Sequence, residues 1–332
     1  MRKKEKLLYQ GEKSKLELFI KDITFFLYCL FKSRVIPIIL TFLILFSCIV
    51  SILDVFGVFT WNKLFTIVGA VDGVKPVNSN FAIYYLDVGQ SDCTIIKCDD
   101  EVLIIDTGTA NQVFTIRKSL YTLEIDEIDY MIITHQHDDH MSGAVELIKH
   151  YNVSNIMMPK LSDINSTNSP TYNNLINTIS EYEVTPVGLT SGNSFNLGSA
   201  LVEVLAPIKQ DKELNNMSAV IKITYGDTSF LFQGDSEQKV EKQLINLGYD
   251  LSADVIKIGH HGSKTASHDT YLNEVKPYYA IISCAPDNTY GHPSYTVIDK
   301  LEKIGIKTYV TSLHGNITIT SDGKNITLVA EK

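Results

Sequence analysis

Tryptophan occurs once, cysteine five times and proline nine times in 332 residues. So little cysteine excludes a disulfide-dense scaffold, and a hydrophobic fraction of 45% excludes a disordered or collagen-like chain. Basic charge is short as well, with 29 Lys and Arg against 38 acids and a net charge of −9. The deficit is uneven. Residues 1–34 hold nine basic and four acidic side chains, a net +5, so the remainder carries −14. A body that acidic excludes a sequence-independent DNA coat, which draws its affinity from a basic surface. It leaves open an enzyme that handles anions at a metal, where the cation supplies the local positive field.

Long apolar runs are also missing, with one exception. Residues 35–53 run VIPIILTFLILFSCIVSIL without a charge, roughly 29 Å as a helix, which suits one bilayer crossing. A buried core helix would show a polar stripe, and a cleaved signal peptide would have a shorter basic lead and a small-residue cleavage site. Lys15, Lys21, Lys32 and Arg34 precede the span and only Lys63 follows closely. The positive-inside rule therefore predicts a cytoplasmic N-terminus and an extracytoplasmic body in the cell membrane. The shorter run 23–31 reads as an interfacial helix, and a re-entrant crossing there would reverse the orientation. These readings divide the chain into a basic segment 1–34, a signal-anchor 35–58, a linker 59–80 and a body 81–332. Cys29 and Cys48 fall in or near the anchor. Cys93 and Cys98 point to opposite faces of one expected strand and, with Cys284, form no disulfide framework.

The body alternates strand-like and helix-like runs. Strands are expected at 82–88, 93–98, 101–106, 130–134, 200–206, 219–226, 228–235, 254–259, 278–283 and 317–321, with a further strand opening at 313–315. Helices are expected at 113–123, from about His140, at 236–247 and at 295–304. Residues 162–169, rich in Asn, Ser and Thr, read as a surface loop. The pattern predicts an α/β fold of packed sheets covered by helices.

The chemistry is concentrated where apolar runs end. THQHDDHMSG follows a buried strand and places His135, His137, Asp138, Asp139 and His140 within six residues. Imidazoles and carboxylates at that density are ligands for a borderline cation. Gly234 and Asp235 close a later strand, and IKIGHHGSK closes another at His260 and His261. Adjacent side chains at a strand end diverge, so one histidine of this pair binds metal and the other faces substrate, with His261 favoured for the metal.

This order of motifs resembles the metallo-β-lactamase-fold hydrolases. LDVGQSD (86–92), LIIDTG (103–108), NNMSAVIKITYGDTSFLFQGD (215–235), IKIGHHGSK (256–264) and NTYGHPS (288–294) are similar to the hydrolase domain of ComEC-type DNA-internalisation proteins. The resemblance, over about residues 81–330, implies an αβ/βα four-layer sandwich with a dinuclear site at one edge. It assigns His135 and His137 to one metal, Asp139, His140 and His261 to the other, and Asp235 to the bridge. It gives Asp106, and with it Asp87, a supporting role behind the ligands. Three departures stand out. No histidine lies between His150 and His260, where the wider family supplies another ligand, and Asn215, Asn216 and Ser218 occupy a comparable segment. His137 stands where ComEC-type domains often carry Asp, and Ser91 replaces an expected glycine.

Two divalent ions, Zn2+ first and Mn2+ as the alternative, would activate water against a phosphodiester. Asp139 and Asp235 would orient that water, and His260 would assist the leaving oxygen. Ser263, Lys264, Asn216 and His292 are expected to contact substrate, whereas Tyr290 reads first as a packing residue. His150, His268 and His314 read as structural or exposed. The leading expectation is thus a membrane-anchored phosphodiesterase, plausibly a nuclease linked to DNA uptake. The competing readings are an envelope phosphodiesterase acting on phosphocholine or teichoic-acid-like groups, and a non-catalytic metal-binding accessory. One membrane span cannot form a pore, the expected partners are a phosphodiester substrate and the membrane through that one helix, no stable nonspecific DNA coat is expected, and the sequence identifies no protein partner.

Overall fold

A computed structural model describes residues 21, 24, 35–55, 74–160 and 169–332. The basic segment 1–34 apart from Lys21 and Thr24, the proposed interfacial helix at 23–31, most of the linker 59–80 and the loop 162–168 lie outside the described residues. The chain divides into two compact units, residues 1–71 and 72–332.

In the first unit, α1 (Val35–Val55) is a 21-residue helix. Its stretch Ile36–Val55 is long and apolar enough to cross a bilayer by length and composition, and only 6% of its core window is buried.

The second unit is a sandwich of two sheets. The chain lays down β1 (Phe81–Tyr85), β2 (Thr94–Cys98), β3 (Glu101–Ile105), β4 (Glu127–Ile132), β5 (Asn152–Pro159) and β6 (Thr185–Leu189). A second sheet follows, from β7 (Ser194–Leu197), β8 (Ala200–Ala206), β9 (Val220–Tyr225) and β10 (Thr228–Phe232) to β11 (Val255–Lys257), β12 (Tyr279–Ile282) and β13 (Lys307–Val310). The chain then returns to the first sheet with β14 (Ile317–Ser321) and β15 (Ile326–Ala330). The orders are β15-β14-β1-β2-β3-β4-β5-β6 and β13-β12-β11-β10-β9-β8-β7. Strands β3 to β6 run parallel, as do β10 to β13.

Alternation along each strand builds three apolar layers. In β1, Phe81, Ile83 and Tyr85 point between the sheets, where they meet Val202, Ile221, Phe230 and Phe232. Ala82 and Tyr84 face the other way, under α2 (Val113–Thr122), α4 (Ala144–His150) and α5 (Pro170–Glu181). On the far side Leu231, Ile256 and Ile282 pack against Val240 and Leu244 of α6 (Gln238–Asn246), Leu272 of α7 (Asp269–Val275) and Leu301 of α8 (Tyr295–Lys303). The result is the four-layer αβ/βα arrangement. Cys93 and Cys98 are divided between the outer and inner layers, as the strand alternation requires. The expected strand opening at 313–315 is replaced by a short helix over Thr311–His314. There His314 Nδ1 lies 3.0 Å from both the backbone N and O of Val310 and closes the turn.

Candidate metal centre

All the chemistry-bearing residues sit where parallel strands end. Asp106 follows β3, the His135–His140 loop follows β4, Asp235 follows β10 and His261 follows β11. The two sheets thus bring their carboxyl ends to one edge, the general place for ligands in parallel sheets.

Asp106 anchors the histidine loop. Buried and with φ 59°, it accepts hydrogen bonds from the backbone N of Thr134 at 2.7 Å and its hydroxyl at 2.8 Å. Its Oδ2 also lies 2.8 Å from His140 Nδ1. A carboxylate only accepts, so one proton sits on Nδ1 and Nε2 is the nitrogen left to face a cation. The loop turns through α3 (Asp138–Met141), and His140 O accepts from Thr107 N at 2.7 Å.

Asp235 reaches this loop from the other sheet. Its preceding glycine has φ 53°, and a Cβ there would lie 2.9 Å from Thr134 Cβ, so only glycine allows the turn to approach. Asp235 Oδ1 is 3.4 Å from His140 Nε2, while Oδ2 is 3.8 Å from both His135 Nε2 and His261 Nε2. His261 Nδ1 lies 3.0 Å from the Ser283 carbonyl, which fixes its proton there, and its Nε2 lies 3.3 Å from Asp139 Oδ2.

Two triads result, with all donor atoms of each within 4.8 Å of one another: His135, His137 and Asp235 in one, Asp139, His140 and His261 in the other. His140 Nε2, His261 Nε2 and Asp235 Oδ1 are buried and have no hydrogen-bond partner among the described residues. Each orphaned polar atom costs about 1–3 kcal/mol. Three of them converging beside two His/Asp triads fit divalent cations, which His135, His137 and Asp235 on one side and Asp139, His140 and His261 on the other could hold. A third grouping, Asp92, Asp106 and His140, is chemically engaged elsewhere, because Asp106 holds His140 Nδ1 and Asp92 pairs with Lys257.

The electrostatics suit cation ligands. Burial, reinforced by neighbouring His140, pushes His135 well below the usual imidazole value, and burial also lowers His137. Burial would raise the Asp235 carboxyl, but His140, His261 and His135 outweigh it and hold it well below the carboxylate range. Asp139 is lowered in the same way by His261 and His140 against its own burial. Burial would lower His140 and His261 too, but Asp235, with Asp106 beside the one and Asp92 beside the other, outweighs it and raises both, so a bound cation would take the place of their second protons.

The centre opens into a cavity of about 470 Å3 lined by His137, Asp139, Asn215, Asp235, His260, His261, Gln90, Tyr290 and His292, among others. A larger cavity of about 750 Å3, lined by Leu272, Tyr278, Lys307 and Lys324, contains none of the cluster and has no comparable chemistry. His260 and His261 diverge, their ring planes at 63°. Both have left-handed backbones, φ 50° and 52°, which turn His261 inward and leave His260 partly exposed. His260 Nε2 is 3.9 Å from Asp235 Oδ2, and its Nδ1 is 3.4 Å from Glu237 Oε1.

Four expected contacts fall elsewhere. Ser263 is buried with its hydroxyl 3.1 Å from Thr265 Oγ1, and neither it nor Lys264 lines the cavity. Asn216 is buried, and its neighbour Asn215 faces the cavity instead. The Asp87 backbone N bonds Asn316 at 2.8 Å, and its carboxyl feels Lys332 and Glu331 rather than the cluster. Asp92, five residues on, lies 3.6 Å from His261 Nδ1. Tyr290 does not pack: it is 72% exposed at the cavity mouth, its ring 5.7 Å from that of His292. Asn215 belongs to the Asn/Ser segment that the sequence singles out, whereas Gln90, Glu237 and Asp92 escape it because each comes from a loop without histidine. The only sequence signal was the polar end of VGQSD. His150 and His268 hold local turns, through Glu146 O and Thr270 N.

Residues 86–198 match the family model described as "Metallo-beta-lactamase superfamily". Among curated proteins, the chain is 30% identical over 194 residues to "ComE operon protein 3" of Bacillus subtilis, covering 58% of this chain and 24% of that protein. It is 27% identical over 244 residues to "Recombination protein 2" of Haemophilus influenzae, covering 70% and 28%, and 27% identical to "Competence protein ComA" of Neisseria gonorrhoeae, covering 70% and 31%. The matches span about a quarter to a third of those relatives. Among solved structures, CmlA, a diiron beta-hydroxylase from Streptomyces venezuelae, overlays with a TM-score of 0.51 at 17% identity, covering 79% of this chain and 60% of that one, a likeness of fold. Architecture, clustered ligands and sequence matches agree: the body has the two-sheet metallo-β-lactamase fold, its residues 86–198 match the superfamily model, and it is similar in sequence to part of the competence proteins.

Proposed function

We propose that this protein is a membrane-anchored, metal-dependent phosphodiesterase acting on nucleic acid, with α1 in the membrane and the body on the extracytoplasmic side. The observation that carries the reading is the pair of His/Asp triads joined through Asp235 at the floor of an open cavity. His135, His137 and Asp235 would hold one ion, and Asp139, His140 and His261 the other, with Zn2+ proposed first and Mn2+ as the alternative. When bound, such a pair supplies Lewis acidity toward phosphoryl oxygens and makes water a nucleophile at neutral pH.

The remaining work falls to side chains. Asp139, partly exposed beside His261 Nε2, would orient the attacking water. His260 Nε2 faces the cavity, and its Nδ1 is steadied by Glu237, so His260 can deliver a proton to the leaving oxygen. The rings of Tyr290, His292 and His261 lie near-parallel, at 23° and 22° with centroids 5.7 and 6.4 Å apart, and the outermost of them, Tyr290, is exposed. One flat open face suits a planar base better than a quaternary ammonium, which favours several rings at angles around it. The competence proteins that the chain resembles support a role in DNA uptake.

The test uses the full-length chain in detergent with Zn2+ or Mn2+. Single- and double-stranded oligonucleotides, bis-p-nitrophenyl phosphate and a glycerophosphodiester are assayed in parallel, with Asp139→Ala as control. Metal-dependent cleavage of oligonucleotides that the substitution abolishes supports the reading. Turnover of the small diesters alone moves the assignment to an envelope phosphodiesterase, and bound metal without turnover of anything refutes an enzyme.

A further inference from the structure

Behind His261 lies an ion pair that the proposed chemistry does not use. Lys257, the last residue of β11, is buried, and its Nζ donates to Asp92 Oδ2 at 2.9 Å and to the Ile258 carbonyl at 3.3 Å. Asp92 belongs to the loop between β1 and β2 in the opposite sheet. Its backbone N donates to Asp139 O at 3.3 Å, and its carbonyl accepts from Gly108 N at 2.9 Å. Its other carboxylate oxygen, Oδ1, is buried without a hydrogen-bond partner and lies 3.6 Å from His261 Nδ1.

A buried ion pair is a poor source of stability, because desolvation offsets the attraction, and apolar side chains of similar size would join the sheets as well. Its placement indicates another role. We infer that Asp92 and Lys257 are positioning residues for the metal centre: Asp92 keeps the His261 ring in the orientation that aims Nε2 at Asp139 and Asp235, and Lys257 keeps Asp92 from becoming a ligand itself. Three features carry this. The free Oδ1 faces the ring nitrogen that bears the proton, so it reinforces the Ser283 contact and the resulting orientation. The ammonium occupies Oδ2 of a carboxylate that otherwise shares a metal-sized cluster with Asp106 and His140. The Asp92 backbone also clamps the segment that carries Asp139, so one residue sets two ligands of the same triad.

The inference rests on His261 being a metal ligand, which forms part of the proposed function, but it does not depend on the substrate. It is tested on the full-length chain by Co2+ and Zn2+ titration, the Co2+ absorption spectrum and thermal unfolding, for Asp92→Asn, Lys257→Met and the double variant. Each single substitution leaves one buried charge and should lower the unfolding temperature. Each should also weaken one of the two ion affinities about 10- to 100-fold, the usual effect of losing such a partner. The double variant, with no buried charge, should recover the unfolding temperature yet keep the weakened site and an altered Co2+ spectrum. Recovery of both affinity and spectrum would show a purely structural pair and overturn the inference, as would single variants that bind both ions like the native chain. A native chain that takes up no ion overturns this inference together with the metal reading. One that binds two ions but hydrolyses no phosphodiester leaves the inference standing and removes only the proposed function.

Discussion

Asp235 shows how one carboxylate organises the centre, since its two oxygens face different histidines. Asp235→Asn preserves the shape but removes the charge that balances His140 and His261. Bound metal should fall from two ions toward one, and hydrolysis by at least about 100-fold, with metal analysis and initial rates as the checks. A native-like metal content in this variant would remove Asp235 from the bridge. Tyr290 makes a separate prediction at the cavity mouth. Base stacking is worth about 1–3 kcal/mol, so Tyr290→Ala should lower kcat/KM on a single-stranded oligonucleotide roughly 5- to 150-fold. Tyr290→Phe should retain activity, and a glycerophosphodiester should be turned over equally by all three proteins. Equal loss on both substrates would instead mean that the ring supports the fold of the loop.

Between elements, Glu241 of α6 ties the second sheet's helices to the loop before α7. It accepts from Ser267 N at 2.5 Å, His268 N at 2.9 Å and Gln233 Nε2 at 3.1 Å, while Gln233 Oε1 takes Gly259 N beside the His260–His261 turn. Burial pushes its carboxyl from 4.5 up to about 6. Because the folded value is the higher one, the folded chain holds the extra proton between those limits. Glu241 therefore becomes a growing liability as pH rises through that window, and the liability is complete above it. The shift corresponds to about 2 kcal/mol. Denaturant titrations from pH 4 to 7 should show this slope in the native chain and not in Glu241→Gln, and parallel pH profiles would contradict it.

Legibility also varied by element. The ends of β3, β4, β10 and β11 were readable because compact apolar runs stop at His or Asp. The pattern missed β5 (NVSNIMMP), polar over its first half, β6 (TPVGL), broken by Pro and Gly, β7 (SFNL), short with one buried residue, and β13 (KTYV), which opens on an exposed lysine. It also missed β15 (ITLVA), an edge strand without a fully buried residue. Helix α5 is rich in Asn and Thr, poor helix formers, but Ser169 caps it by accepting from Tyr172 N and Pro170 opens it, a start signal that the polar loop reading obscured. At the site, the long-range partner of Lys257 could not be read at all, since Asp92 lies 165 residues away.

For the whole molecule, the central question is whether α1 anchors the chain in a membrane and on which side the body then works. Helix α1 and the lopsided lysines predict export of the body. A C-terminal fusion to a reporter active only in the cytoplasm should therefore be silent, and one active only after export should report, and the reverse pattern would invert the topology. The acidity of the body has a consequence of its own: affinity for a polyanion should rest on bound cations rather than on Lys and Arg. Oligonucleotide binding should accordingly disappear on chelation while showing only a shallow dependence on monovalent salt.

The return of β14 to the first sheet gives the fold a schedule. Phe81 pairs with Ser321 and Tyr85 with Ile317, so the sheet that carries His135 to His140 is complete only after the sheet that carries Asp235 and His261 has been synthesised. The last strands therefore close the frame behind β1 after every residue of the two triads has been laid down. Under the proposed function, the compartment in which the last strands pair would be the one that supplies the ions, and the metal content of the purified protein would reflect it.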